Sequence, residues 1–171
     1  MGNRIWRESV VNGVAAGRNY IVDISGELPT ILCEIEDPNS FVPGSLKKSY
    51  YYADGQILSQ RVHDPVDPNS YTPYFYVHDR LGSVRMVVDN TAAAVCSYTY
   101  RPYGAFYDGE CVETASVDNP WKFTGQYYDA EIEQYYLRAR QYDPAMMRFT
   151  GRDMIKGYHE NPITLHHCCP R

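Results

Sequence analysis

The sequence predicts an all-β protein of stacked antiparallel hairpins, and three observations support this fold class. Tyrosine is unusually common, with 17 residues against 5 Phe and 2 Trp, and its flat amphipathic ring suits a pleated sheet surface. The 171-residue chain also contains 11 Pro and 12 Gly, which is typical of many tight turns. Several segments alternate apolar and polar residues with period two, and no segment has a sustained helical stripe.

The alternating segments define the expected strands and turns. The predicted strands are 19–24, 31–36, 49–53, 57–62, 74–78, 83–88, 95–100 and 134–140, the last as one long strand. Asp54-Gly55 is a strong signal for a hairpin turn. The Pro-rich stretch 64–73 is predicted to be a surface loop inside one domain, with a domain linker as the alternative. Residues 145–148 are predicted to form one helical turn after Pro144.

Tyrosine and aspartate recur in a degenerate rhythm. Aromatic clusters followed by Asp occur at 20–23, 52–54, 76–79, 107–108, 127–129 and 142–143. We interpret each as a strand that places tyrosine on the sheet face, followed by an Asp whose side chain bonds the backbone of the next turn. A single hairpin is unstable, so the repeats are expected to stack and share one buried surface.

Charge and cysteine content exclude several functions. The formal net charge of −5 gives no electrostatic support for binding nucleic acid. No apolar run is long enough for a membrane span, and the start of the chain lacks the apolar stretch of a secretory signal. The five irregularly spaced cysteines do not have the pattern of a disulfide framework. Cys33 and Cys96 are predicted to be small buried hydrophobes.

Candidate catalytic and metal sites are weak. Asp153 resembles half of an aspartic dyad, but that chemistry needs two close carboxylates sharing a proton. The prediction is therefore that the chain is not an enzyme, with a remnant self-cleaving site at Asp153 as an alternative. The run 166–169 (His-His-Cys-Cys) lacks the spacing of zinc ligands, because adjacent side chains in an extended chain point apart. No metal or other cofactor is predicted.

Two groups of charged residues are predicted to be structural. Asp79 with Arg85, and Asp129 with Arg138 and Arg140, are expected to fix turns and strands through charge-assisted bonds. Arg140 in particular is predicted to tie neighbouring hairpins. The alternative is a cell-surface adhesion or glycan-binding module, in which these pairs and exposed tyrosines would bind sugars.

Four segments carry a resemblance to a known family. They are 79–85 with Asp79, Gly82, Ser83 and Arg85; 98–104 with Tyr103 and Gly104; 123–131 with Phe123, Gly125, Tyr128 and Asp129; and 135–149 with Tyr135, Tyr136, Arg138, Arg140, Tyr142, Asp143, Pro144, Arg148 and Phe149. Together they resemble the tyrosine-aspartate (YD) repeat proteins of the bacterial rearrangement-hotspot (Rhs) family, which are related in this module to animal teneurins. Residues 74–153 are most similar to the Rhs-associated core, 1–73 resemble degenerate YD hairpins, and 154–171 form an irregular tail.

The resemblance implies a structural role. In this family a long β-ribbon spirals into a hollow shell, the core segment plugs one end, and a variable, often toxic, cargo domain follows inside. The implied function is encapsulation of a toxin or effector for delivery, after cytoplasmic synthesis and then secretion or display on the cell surface. The implied partners are the rest of the shell and a carboxyl-terminal cargo domain. At 171 residues the chain corresponds to a curved shell fragment, whose open strand edges favour self-association.

The chain departs from the family pattern at three places. The segment 131–134 replaces a tight glycine turn, which predicts a wider hairpin. Met147 stands where the family has glycine, and it would carry strain if that position has positive φ. Residues 153–157 resemble a degraded first copy of the two aspartate-proline elements that cut the cargo free, and the second copy is absent. The sequence is compatible with a truncated gene product and with a natural short protein.

Overall fold

The computed structural model describes residues 5–11, 14–26, 29–36, 45–67, 69–108, 111–114 and 117–151. The strands are β1 Trp6–Val11, β2 Val14–Asp23, β3 Thr30–Ile35, β4 Leu46–Ala53, β5 Gln56–His63, β6 Tyr71–His78, β7 Val84–Val88, β8 Ala94–Ser97, β9 Val112–Glu113, β10 Tyr127–Asp129, β11 Gln134–Leu137, β12 Arg140–Asp143 and β13 Arg148–Phe149. One 3-10 turn, Phe123–Gly125, is the sole helical element in these residues. The prediction of an all-β fold is confirmed.

The strands form two sheets in which chain order and spatial order coincide. The first sheet has nine strands in the order β1 to β9, and the second has four in the order β10 to β13. Every neighbouring pair is antiparallel. Register shifts interrupt five pairings of the first sheet, and such bulges increase strand twist. The result is an open ribbon of consecutive hairpins, as predicted. Nowhere in the described ranges is there a helix long and apolar enough to span a bilayer.

Two aspartates of the repeat rhythm, Asp79 and Asp143, organise their turns through their side chains as predicted. Asp79 Oδ1 accepts hydrogen bonds from the backbone N–H groups of Leu81 and Ser83, both at 2.9 Å. Asp143 Oδ1 does the same for the next turn, where it accepts from Ala145 and Met146 at 2.9 Å. These bonds satisfy backbone donors that the strands leave unpaired. The segment after Pro144 is therefore a tight turn and not the predicted helical one.

Left-handed backbone conformations shape three hairpins. Asp54 and Gly55 have φ values of 50° and 73° and join β4 to β5, which confirms the predicted two-residue turn. Four residues, 130–133, join β10 to β11, and Glu133 has φ 54°, so the wider hairpin is also confirmed. Met147 has φ 57°, and this side chain therefore carries the strain predicted for a position that favours glycine.

The prediction of one long strand over residues 134–140 is wrong. Strand β11 ends at Leu137, which pairs with Arg140 at the start of β12. Arg138 turns the chain with φ 57°. Its side chain is fixed by bonds from Nε to the carbonyl oxygen of Pro29 at 3.2 Å and from Nη1 to Gln126 Oε1 at 3.3 Å. These tertiary contacts, and no local turn residue, hold the chain reversal.

The Pro-rich stretch lies inside one sheet. Strand β5 ends at His63, which pairs with Tyr71 at the start of β6, so residues 64–70 connect two hydrogen-bonded neighbours. Pro73 belongs to β6 and lies opposite Arg61. The predicted loop is therefore three residues shorter at its carboxyl end than the sequence pattern indicated.

The core lies between one face of the nine-stranded sheet and the segment 117–127. Tyrosines on alternate positions face it, as Tyr74 and Tyr76 show, whereas Phe75 and Val77 on the same strand are exposed. The buried aromatic residues are Tyr20, Tyr50, Tyr74, Tyr76, Tyr98, Trp121, Tyr127 and Tyr135. Cys96 is buried as predicted, while Cys33 is partly exposed, and both are free thiols.

Candidate functional site

The four segments that carry the family resemblance meet in space. We call their meeting point the motif junction, defined as residues 79–85, 98–104, 123–131 and 135–149. The first two segments belong to the nine-stranded sheet and its loops, and the last contains β11 to β13 of the second sheet. The motif junction therefore joins the two sheets, although its segments are separated along the chain.

Ser83 forms the first link of the motif junction. Its side chain is completely buried, and its Oγ accepts a hydrogen bond from the backbone N–H of Thr124 at 3.0 Å. The next residue donates as well, from Val84 N to Lys122 O at 3.0 Å. Thr124 has φ 50°, a left-handed value that is rare for a β-branched residue. The Ser83 bond thus holds a strained turn against the sheet.

We expect Ser83→Ala to reduce the free energy of unfolding by about 1–3 kcal/mol, because Thr124 N would lose its acceptor in a partly buried place. Urea unfolding followed by circular dichroism measures the change. Ser70→Ala is the matched control, because Ser70 is exposed and the same hydroxyl deletion there should cost little. Equal stability of the two variants would contradict the role assigned to Ser83.

Gly104 and Phe123 form the second link. Gly104 has φ 90°, and a Cβ atom built there would lie 2.5 Å from Phe123 Cδ1, well inside contact distance. The Phe123 ring lies 5.5 Å from the Tyr100 ring and 6.1 Å from the Tyr135 ring, measured between centroids. Tyr135 Oη donates to the Gly104 carbonyl oxygen at 2.9 Å. Glycine is needed here for both its conformation and its size.

An aromatic ladder crosses the second sheet. Tyr128, Tyr135, Tyr142 and Phe149 come from β10, β11, β12 and β13, and successive ring centroids are 4.9, 6.4 and 5.6 Å apart. Tyr142 Oη donates to the carbonyl oxygen of Tyr103 at 3.0 Å. Cross-strand aromatic contacts of this kind stabilise small sheets, and here they also attach the sheet to the turn that ends at Gly104.

Arg140 contacts the end of this ladder. Its guanidinium carbon lies 3.8 Å from the Phe149 ring centroid, so the contact crosses from β12 to β13. We expect Arg140→Ala to lower the free energy of unfolding by about 0.5–1 kcal/mol through loss of the cation–π contact. Thermal melting measures it, and Arg148→Ala, at an exposed position of the same hairpin, is the control. Identical melting of Arg140→Ala and the parent chain would refute the contribution.

Ion pairs made by Arg7 join the sheets at the other side of the core. Arg7 pairs with Asp129 at 3.0 Å and also with Glu131. In contrast, Arg138 binds Pro29 and Gln126 and not Asp129. The first strand supplies the cation because the second sheet folds back over it, a long-range contact with no local sequence signal.

The prediction of a charge-assisted bond between Asp79 and Arg85 is wrong. The Asp79 carboxylate is used by its own turn, where it accepts backbone hydrogen bonds. Arg85 instead lies over the ring of Tyr100, 5.7 Å from its centroid.

Asp118 is the centre of a second charge cluster. Its carboxylate lies 2.8 Å from Lys48 Nζ and 3.1 Å from Arg18 Nη2. Burial alone would raise the pKa of this carboxyl, but the charges of Lys48 and Arg18 and the hydrogen bonds to them hold the pKa below its ordinary value. The cluster therefore attaches the segment after β9 to strands β2 and β4.

The lowered pKa of Asp118 predicts an acid-sensitive contact. A lowered folded-state pKa stabilises the fold above the ordinary value near pH 4, and this stabilisation is lost as the pH falls through the lowered pKa. Asp118→Asn should therefore unfold more easily at pH 7 and show a flatter decline of stability below about pH 4. The side chain is 57% exposed, so high salt should shrink the difference.

Urea midpoints between pH 2 and 7 measure this effect. Asp108→Asn is the matched control, because its ion pair with Arg101 spans 3.6 Å and the Asp108 side chain is 98% exposed. We expect that variant to follow the parent chain at every pH. Parallel pH curves for Asp118→Asn and the parent chain would contradict the assignment.

Buried polar groups that the sequence did not reveal complete the core. Glu34 is 3% exposed, and its Oε1 accepts from Tyr50 Oη at 2.6 Å and Tyr127 Oη at 3.0 Å. Burial, with the nearby Glu34 charge, raises the pKa of both tyrosines, so they remain hydrogen-bond donors. In a strand with period-two alternation Glu34 shares a face with Leu32 and Glu36, so no local signal in the sequence shows that it is buried.

Asn119 is the second such group. Its Oδ1 accepts from Trp121 N and Tyr76 Oη, each at 3.0 Å. Its Nδ2 donates to the carbonyl oxygen of Trp121 at 2.8 Å and to Tyr98 Oη at 3.1 Å. One buried amide thus bonds tyrosines from β6 and the segment after β8, and it fixes the position of Trp121.

Asp118, Glu34 and Asn119 all form hydrogen bonds or ion pairs with residues of the core, and these contacts are structural. Across the described ranges, no group of three or more His, Cys, Asp or Glu side chains is placed to hold a metal ion. Asp153, the tail 154–171 and the run 166–169 lie outside the described residues, so the weak candidate at Asp153 stays a prediction.

Comparisons with known proteins agree with this architecture. No family model matches the chain. The tRNA3(Ser)-specific nuclease WapA of Bacillus spizizenii is 32% identical over 157 residues, which are 91% of this chain and 6% of that protein. The crystal structure of TcdB2-TccC3, an Rhs/YD-repeat shell protein, is also similar. The match covers 90% of this chain and 7% of the TcdB2-TccC3 chain, with 17% identity and a TM-score of 0.60. The chain belongs to the Rhs family of YD-repeat proteins.

A second relative also matches most of this Rhs-family segment with a small part of its own length. The tRNA nuclease WapA of Bacillus subtilis strain 168 is 33% identical over 157 residues, again 91% of this chain and 6% of that protein. The segment therefore spans a small part of the length of its relatives. It contains the hairpin ribbon and the motif junction, and the structure of TcdB2-TccC3 shares that fold.

Proposed function

We propose that this Rhs-family segment is part of the wall of a shell that encloses a toxin or effector cargo, and that it has no chemistry of its own. The observation that carries the proposal is the motif junction. The residues that give the family its sequence signature are used to lock two sheets together. They do not converge on a cleft with a nucleophile and a base.

The chemistry of the junction residues supports this role. Ser83 Oγ is completely buried and accepts a backbone hydrogen bond. The Asp79 carboxylate caps a turn, and Tyr135 Oη is bound to a backbone carbonyl. Each of these groups would have to leave a structural bond before it could react, which favours an architectural function.

The topology supports a wall. Among the described residues, nine strands of the first sheet follow one another in chain order, and each pairs only with its chain neighbours. In the described sheet β1 and β9 are the two end strands, so further hairpins can extend the ribbon by the same hydrogen bonding. Stacked repeats of this kind build continuous surfaces with a common core.

The cargo is proposed from the relatives. WapA proteins are named as tRNA nucleases, and the matched segment is 6% of their length. We place the nuclease activity outside that segment. The cargo that a full-length protein with this segment would carry is then a toxin or effector domain joined to the shell.

A chimera tests the proposal. The matched 157 residues of Bacillus subtilis WapA would be replaced by this chain, and the product assayed for tRNA cleavage and for resistance to limited proteolysis. We expect the chimera to keep both, and the isolated 171-residue chain to leave tRNA intact. A chimera that is cleaved into fragments, or an isolated chain that cuts tRNA, would contradict a purely structural role.

A glycan-binding module is the second candidate, because aromatic rings lie on the outer face of the sheet. Tyr51 and Tyr71 are exposed there. The Arg61 guanidinium lies over both rings, 4.6 and 4.3 Å from their centroids, and so covers a face that a sugar would need. Glycan-array binding that is lost in Tyr51→Ala and Tyr71→Ala would favour adhesion over the shell role.

A further inference from the structure

A cavity of about 370 Å³ lies between the second sheet and the ends of strands β3, β4 and β5 in the middle of the nine-stranded sheet. It is bounded by the β4–β5 turn at 54–56, the loop 80–82, the turn 124–126 and Arg138. Its volume is in the range of pockets that hold small organic ligands. The side chains described above line this cavity and do not fill it.

Four aromatic residues form one part of the cavity wall. Tyr52, Trp121, Tyr127 and Tyr136 line it, and Trp121 contacts Tyr52 and Tyr127 edge to face, with centroids 5.9 and 5.5 Å apart. Tyr52 Oη is bound to the Ile31 carbonyl oxygen at 2.6 Å. The rings are thus fixed, and they present an apolar surface that is preformed for the body of a ligand.

The charged groups at the cavity favour an anion. Among its lining residues two are cationic, Arg80 and Arg138, and one is anionic, Asp54. Arg138 uses Nε and Nη1 for Pro29 and Gln126, and its Nη2 has no partner among the described residues. Arg80 is exposed and has no ion pair within the described ranges. The spare donors can bind oxygen atoms, and guanidinium groups match the planar geometry of carboxylates.

Three residues around the cavity have a left-handed backbone conformation, which is uncommon for residues other than glycine. Asp54, Thr124 and Arg138 line it, and all three have left-handed φ values, of 50°, 50° and 57°. Such conformations concentrate at ligand clamps, where surrounding contacts maintain them. The β-branched Thr124 is the least expected of the three.

We propose that this cavity binds a carboxylate attached to an apolar body, with Arg138 and Arg80 on the carboxylate and the aromatic wall on the body. The ligand is either a free small organic acid or an acidic side chain of a polypeptide. The two sources share one chemistry and differ in whether the carboxylate has a chain attached.

Nuclear magnetic resonance of the full chain tests the proposal through the indole N–H signals. The chain has 2 Trp residues, and Trp6→Phe, at an exposed position, leaves the Trp121 signal alone. Benzoate and its neutral counterpart benzamide probe the free acid. The peptides Ac-Leu-Glu-Leu-NH₂ and Ac-Leu-Gln-Leu-NH₂, which have no terminal charges, probe the polypeptide source.

We expect saturable shifts of the Trp121 signal with benzoate, with the Glu peptide, or with both, and at least tenfold weaker binding of benzamide and the Gln peptide. A response to benzoate alone identifies a free acid, and a response to the Glu peptide alone identifies a side chain. Absence of a saturable shift with both carboxylates, or equal binding of charged and neutral probes, would overturn the proposal.

Matched variants locate the site. Arg138→Gln should weaken binding of the active carboxylate about tenfold, in line with the loss of one charged hydrogen bond. Arg80→Gln should also weaken it and leaves folding contacts untouched, which keeps the test valid if Arg138→Gln is unstable. Arg61→Gln, on the outer face, is the control and should bind as the parent does. Equal affinity of Arg80→Gln, a folded Arg138→Gln and the parent chain would refute the assignment.

Discussion

Replacing Gly104 with alanine is expected to break the motif junction and to lower the free energy of unfolding by about 2–5 kcal/mol. Two costs add at this position. The residue has φ 90°, a value that L side chains rarely adopt, and the new Cβ would lie 2.5 Å from Phe123 Cδ1 and 2.8 Å from Phe123 Cγ. The Phe123 ring cannot move freely, because the rings of Tyr100 and Tyr135 pack against it.

Gly55→Ala separates the two costs. Gly55 also has positive φ, at 73°, but a Cβ there would meet nothing within 4 Å. We expect this control to lose about 1–2 kcal/mol, the conformational part alone. Urea unfolding of both variants, followed by near-ultraviolet circular dichroism, makes the comparison. A Gly104→Ala chain as stable as Gly55→Ala would show that close packing on Phe123 does not hold the sheets together.

Removing the Trp121 side chain is the second large change. Trp121 is buried and packs edge to face on Tyr50, Tyr52 and Tyr127, so it holds the segment 117–127 against the sheet. Trp121→Ala should cost about 3–5 kcal/mol, as large aromatic deletions in cores do. A domain of this size has only about 5–15 kcal/mol of net stability, so we expect partial unfolding at 37 °C.

Trp6→Ala is the control for that deletion. Trp6 is 54% exposed, and the same substitution there should change the free energy of unfolding by less than about 0.5 kcal/mol. Thermal melting and amide hydrogen exchange of β4 and β10 measure both variants. If Trp121→Ala leaves exchange in β10 unchanged, the second sheet is held by contacts other than this ring.

Local chemistry explains why much of the fold could be predicted. The turn at Asp54-Gly55 and the turn capped by Asp79 depend on residues within a few positions of each other, so their residue types are visible in the sequence. The tyrosine alternation in β6 is equally local, because side chains on a strand change face at every residue.

Long-range contacts explain what could not be predicted. Arg138 reverses the chain because Pro29 and Gln126 hold its side chain, and neither residue is a sequence neighbour of the turn. Glu34 is buried because the hydroxyls of Tyr50 and Tyr127 meet it there. In the same way, the family motifs could be recognised in the sequence, but their convergence on one junction required the tertiary structure.

A cryo-electron microscopy map of the WapA chimera would show whether this segment is part of a wall. We expect continuous β-density in which further antiparallel strands extend the sheet at β1, with the motif junction closed and the segment part of an enclosing surface. A segment that stands apart as an isolated body, with β1 unpaired and no enclosed volume beside it, would refute the proposed role.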